Sequence, residues 1–135
     1  MIEFLQDNYF HLTTKNTSYI FKITQFGHLE SVHYGDRVQA QSFEGLRRKA
    51  TAVVGSSIVY HESNELYCLD NITLEYSSIG KGDFRHTPLE LMMPDKSFVC
   101  DFTYCSHEII KGSIPLKELP SAFGTDQECE TLMII

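Results

Sequence analysis

No apolar run in this sequence approaches the roughly 20 residues that a membrane-spanning helix needs. Basic residues are scarce as well. With 11 lysines and arginines against 18 acids the formal charge is −7, which excludes a surface that attracts nucleic-acid phosphates. The four cysteines show neither CxxC spacing nor the density of a secreted disulfide scaffold. Met1 is followed directly by Ile2 and Glu3, without a basic n-region, an apolar h-region or a small-residue cleavage site. A cytoplasmic protein with reduced thiols is expected. The six histidines lack HExxH or HxxxH spacing, so no metal is expected. Gly55-Ser56-Ser57 is not a nucleophile elbow, Gly80-Lys81-Gly82 is not a phosphate cradle, and no cofactor is expected.

What is present is β patterning in 135 residues, one domain's worth and enough to bury a core. Phe10 to Thr14 and Thr17 to Thr24 are β-rich runs broken by Lys15-Asn16, which suits a hairpin. In the second run Tyr19, Phe21 and Ile23 fall on one face and Ser18, Lys22 and Thr24 on the other, predicting one buried and one wet side. A third strand, Leu29 to Tyr34, follows a turn at Gly27 and completes an antiparallel meander. From Gly35 to about Glu65 the pattern dissolves into a long irregular loop, of the kind that is functional or disordered. Leu66 to Tyr76 fits strands and a short helical turn equally. The clearest strand pair is Leu89 to Met93 and Phe98 to Cys105 around a turn at Pro94-Asp95-Lys96-Ser97. Ser106 to Ile110 prolongs it, Ile114 to Pro120 is irregular, and Glu130 to Ile135 is a last strand ending on apolar residues. The expected fold is all-β, an antiparallel β-sandwich with a long irregular loop.

Candidate chemistry is sparse. Glycoside hydrolysis needs two carboxylates facing each other about 5 to 9.5 Å apart. Glu90, Asp101 and Glu108 are acids on a sheet without an evident cleft, so no catalytic residue is assigned. Asp83 and Arg85, two apart in the segment Gly82 to Pro88, point to the same side if extended. An arginine can fork onto carbonyls or a carboxylate while an aspartate accepts loop amides, which gives the pair a structural role. Arg47-Arg48-Lys49, near Phe43 in the long loop, is a solvated charge run or a contact for a partner or sugar.

An ordered set of short motifs resembles the N-terminal domain of glycoside hydrolase family 36, the bacterial and fungal α-galactosidases. It runs through Phe10-His11-Leu12, Asn16-Thr17-Ser18-Tyr19, Leu29, Tyr34-Gly35, Leu74-Glu75-Tyr76, Gly82-Asp83-Phe84-Arg85 with Pro88, Asp101-Phe102 with Tyr104, His107-Glu108-Ile109 with Lys111-Gly112, Leu119-Pro120 and Glu130-Thr131-Leu132. The resemblance implies that residues 1–135 are all or part of an N-terminal β-supersandwich domain, with a (β/α)8 catalytic barrel downstream carrying both catalytic aspartates. It implies α-galactosides such as raffinose or melibiose as substrates of the parent enzyme, and a homo-oligomer, in several members a tetramer. In those members the loop after the third strand presents an aromatic and charged residues to a neighbour's active site. Phe43 stands at the aromatic position and is the candidate substrate contact that the resemblance implies; Arg47 departs from the acidic residue at its position and is a candidate substrate contact through the charge run alone. The rival expectation is a free-standing carbohydrate-binding or oligomerisation module without hydrolase activity.

Overall fold

The computed structural model describes residues 1–49, 52, 58–115, 118, 120 and 129–135. Four strands form one antiparallel sheet in sequence order: β1 (Ile2–Leu5), β2 (Tyr9–Thr13), β3 (Thr17–Ile23) and β4 (Leu29–Asp36). β5 (His107–Lys111) and β6 (Glu130–Ile134) pair antiparallel in a second sheet. Single 3₁₀ turns at Gln6–Asn8, Glu44–Leu46 and Leu69–Asn71 are the helical pieces among the described residues.

The meander follows from the alternation of β-branched and aromatic residues with polar ones, and from turn chemistry between them. At Lys15-Asn16, where no glycine is available, the Thr14 hydroxyl accepts the Thr17 amide at 3.0 Å and closes the turn. Gly27 has φ +88°, which favours glycine at the β3–β4 turn, and a Cβ there would also crowd the Thr103 side chain at 3.1 Å. β1 is an addition: Met1 to Leu5 carries little alternation, and it is held as an edge strand by its register, Ile2 opposite Leu12 and Leu5 opposite Tyr9.

One face of the meander packs on the second sheet. Phe10, Phe21 and Ile23 are buried together, with Leu12, Leu29, Tyr104, Leu132 and Ile134 packed against them. Phe10 is 0% exposed, its ring 4.9 Å from Phe21 in a stack, 4.7 Å from Phe4 and 4.8 Å from His107 edge-on. The other face of β3 is not wet, contrary to the alternation argument. Ile20 is fully buried with Tyr9 and Phe43, because the chain after β4 folds back over that side. Periodicity within one strand does not report what a distant loop will cover.

The expected main hairpin differs too. Its turn is present, with Met93 N–H donating to Ser97 O and Lys96 N–H to Met93 O, both at 2.8 Å. Its arms form no ladder; Leu89, Leu91, Met92, Met93, Phe98 and Val99 are exposed. Instead the returning arm bonds elsewhere, Cys100 N–H to Ile79 O and Tyr104 N–H to Gly27 O. Leu66 to Tyr76 resolves into the 3₁₀ turn at Leu69–Asn71 and an isolated bridge between Leu74 and Glu30 of β4. The stretches Ala50-Thr51 and Val53 to Ser57, together with Leu116 and Leu119, lie outside the described residues.

Phe10→Ala removes a fully enclosed ring and is expected to cost about 4 kcal/mol in urea denaturation. A loss under about 1 kcal/mol would show that the two sheets do not depend on this contact.

Candidate functional site

Antiparallel register sets Tyr9 opposite Lys22 and Lys22 opposite Glu30, so the three side chains form a row across β2, β3 and β4 on the face that the loop covers. Glu30 is only 4% exposed, and a buried carboxylate must be paired. Arg47 supplies the pairing, donating from Nε at 3.1 Å and from Nη2 at 2.8 Å to Glu30 Oε2. Its Nη1 reaches Glu44 Oε2 at 3.1 Å. Glu44 Oε1 in turn accepts the Tyr9 hydroxyl at 2.6 Å and the Lys22 ammonium, which also lies 4.5 Å over the Tyr9 ring. The 3₁₀ turn at Glu44–Leu46 is what aims Glu44 and Arg47 at the same sheet face. Charges alternate along this clasp, with two cations against two carboxylates, so each one is neutralised where it sits.

The electrostatics follow. Hydrogen bonds from Lys22 and then Tyr9 hold the Glu44 carboxyl down at about 2. Burial, then the bond to Glu44, push the Tyr9 phenol well above its ordinary range. Phe43, just before the turn, is 3% exposed, its ring 5.8 Å from Tyr9 and 5.0 Å from His11. Farther back, the Val38 amide donates to Ser18 Oγ at 3.0 Å, and Ser18 Oγ lies 2.9 Å from His11 Nε2. The structure therefore brings Phe43 and Arg47 together as anchors of the loop's near end. Phe43 is buried, and Arg47 is half-buried with its guanidinium turned to the two glutamates.

Asp83 and Arg85 meet in a second knot. Arg85 donates from Nε to Asp83 Oδ1 at 2.8 Å and from Nη2 to Oδ2 at 3.0 Å. The same guanidinium donates to the Ile72 and Leu69 carbonyls, each at 2.7 Å. Asp83 also accepts the Ser77 hydroxyl at 2.6 Å and the Arg85 amide at 3.1 Å. Burial alone would raise its pKa; the Arg85 and Ser77 hydrogen bonds outweigh that and hold it below the usual carboxylate range. Phe84 between them is 72% exposed.

A third cluster had no signal in the sequence, since its central pair, His28 and Asp101, is 73 residues apart. His28 Nε2 is 2.8 Å from Asp101 Oδ1, and its Nδ1 is 2.9 Å from the Tyr67 hydroxyl. Asp101 Oδ2 accepts the Tyr60 hydroxyl at 2.8 Å, and Tyr67 reaches Thr24 Oγ1 at 2.6 Å. Burial, then the bond to Asp101, push the Tyr60 phenol up to about 12. Asp101 is thus engaged, while Glu90 and Glu108 stand exposed. Among the described residues no group of histidine, cysteine or acidic side chains is arranged to hold a metal.

Arg85→Ala strips Asp83 of its counter-charge and two carbonyls of their donor, and is expected to cost about 3 kcal/mol, with Arg85→Lys intermediate because an ammonium cannot fork. An unchanged melting temperature for Arg85→Ala contradicts this. For Glu44, the depressed folded-state pKa stabilises the fold fully above the unfolded value of 4.5, and that gain is lost as pH falls toward about 2. Glu44→Gln is therefore expected to melt below the parent chain at neutral pH, with the gap closing between those two pH values. A gap independent of pH would mean that the clasp is not electrostatic.

Comparison with known proteins matches residues 27–135 to the Glycosyl hydrolase family 36 N-terminal domain. The chain is 31% identical to alpha-galactosidase AgaA of Geobacillus stearothermophilus, over 96% of this chain and 18% of that protein. It is 27% identical to the bifunctional alpha-galactosidase/sucrose kinase AgaSK of Mediterraneibacter gnavus, over 93% of this chain and 13% of the relative. The galactosidase domain of AgaSK superposes with a TM-score of 0.88 at 26% identity, covering 99% of this chain and 19% of that structure. The chain thus spans less than a fifth of the length of these relatives. AgaA variants have been solved with raffinose and with stachyose. On the match over most of its length, this chain belongs to the glycosyl hydrolase family 36 N-terminal domain family.

Proposed function

We propose that this chain is the non-catalytic N-terminal β-sandwich portion of a cytoplasmic α-galactosidase that removes terminal α-linked galactose from galactosides such as raffinose or melibiose. The catalytic aspartates belong to a (β/α)8 barrel downstream of Ile135. The parent is a homo-oligomer, a tetramer, and the loop anchored by Phe43 and Arg47 contributes to substrate binding at a neighbouring subunit's active site. The buried Phe43 ring and the Arg47 clasp set the point at which that loop leaves the sheet.

The observation that carries this reading is the superposition of 99% of the chain on only 19% of a galactosidase domain. The acids support it: Asp83 and Asp101 are both engaged in structural hydrogen bonds, leaving neither as a free nucleophile or proton donor in a cleft. A coding sequence that continues into a barrel after Ile135 favours the enzyme portion over a free-standing module, and a stop codon there favours the module.

The isolated chain is expected to release no nitrophenol from a nitrophenyl α-galactoside above the buffer rate. Turnover that survives repurification and vanishes on replacing one of this chain's own acids would overturn the assignment of catalysis to the barrel.

A further inference from the structure

Most of the described lysines and arginines of this chain stand apart from any carboxylate, but two of them, side by side in sequence, face a cavity. Lys22 and Arg47 are held by Glu44 and Glu30, and Arg85 by Asp83. Arg48 and Lys49, which follow the clasp directly, make no ion pair with any described residue. Both line an open cavity of about 320 Å³, at the small end of the range of ligand sites, about 300–1,000 Å³. Fixing Arg47 to Glu30 puts the next two side chains at this cavity.

The rest of the lining offers donors. Asn71 lines the cavity, and its Nδ2 is buried with no acceptor, a standing cost that a ligand oxygen would remove once the side chain turns the amide outward. Asn64 Oδ1 is occupied by the Leu66 amide at 3.1 Å, which leaves its NH₂ group for the cavity. Thr73 directs its hydroxyl to Ser31 O at 2.8 Å. The one carboxylate in the wall, Glu30, is held by Arg47. A guanidinium, an ammonium and two amides, with no unpaired carboxylate, suit a ligand made of acceptors. A neutral sugar is the opposite case, because each of its hydroxyls also seeks an acceptor.

We propose that this cavity is a binding site for a small oxyanion, free or carried on a sugar, with Arg48 and Lys49 supplying charge and Asn64 and Asn71 the neutral donors. Galactoside chemistry has no part in the argument, so the site stands or falls separately from the proposed function.

The test is an NMR titration of the ¹⁵N-labelled chain at constant ionic strength with inorganic phosphate, a hexose 6-phosphate and galactose. Saturable shifts at Arg48, Lys49, Asn64 and Asn71 are expected with the phosphates. The Arg48→Ala/Lys49→Ala variant is expected to raise the Kd about tenfold or more, since each lost partner is a charged hydrogen bond. Arg37→Ala, outside the cavity, is expected to leave it unchanged. Tighter binding of the hexose phosphate identifies an anion carried on a sugar, and equal binding a free anion. Shifts that never saturate, that persist unaltered in the double variant, or that galactose reproduces at the same residues overturn the proposal.

Discussion

A glutamate buried in a sheet demands a cation, and in this chain that demand decides where the long loop goes. Glu30 is placed by β4 on a face where it is almost wholly buried. The register puts Lys22 beside it, but Lys22 turns to Glu44, and the charge on Glu30 is answered by Arg47 from outside the sheet. The chain after β4 must therefore fold back over the meander, which carries Phe43 onto Tyr9 and His11 and closes a second small core behind the first. A sheet that would have had one wet face becomes covered on both. Replacing the whole clasp by apolar residues of like volume would leave the sheet covered; removing one member would not.

How much of this was legible in the sequence varies with the range of the physics involved. β2, β3 and β4 were legible because alternation and turn chemistry act within a few residues, and β5 and β6 fall on the runs Ser106 to Ile110 and Glu130 to Ile135 that carry strand-like residues. The strand pair proposed for Leu89 to Cys105 has strand-like residues and a competent turn, yet no ladder. Propensity states that a segment can pair; it does not choose the partner, and here the returning arm finds Ile79 and Gly27 instead. β1 escaped notice because it borrows its order from β2 rather than from a pattern of its own.

The candidate site divides the same way. Asp83 and Arg85 are two residues apart, so their meeting was readable from spacing, whereas the carbonyls of Leu69 and Ile72 that complete the guanidinium's shell belong to a turn whose type was ambiguous. Phe43 and Arg47 were visible as an aromatic beside a charge run. Their contacts were not, because Glu30 and Tyr9 reach them only through the register of three strands. The His28, Tyr60, Tyr67 and Asp101 cluster draws on four separate segments and has no local signature at all.

That last cluster has a consequence for the order in which the molecule assembles. Each pairing in the meander closes a loop of a few residues, so it can form while the chain is still leaving the ribosome. The imidazole of His28 has to wait for a carboxylate 73 positions later, and the amide of Ile2 for one 128 positions later. Between those moments the newborn sheet carries a histidine without its partners and a Phe10 face not yet covered by the second sheet, the interval in which a nascent chain is most exposed to capture by a chaperone or by its neighbour on the next ribosome.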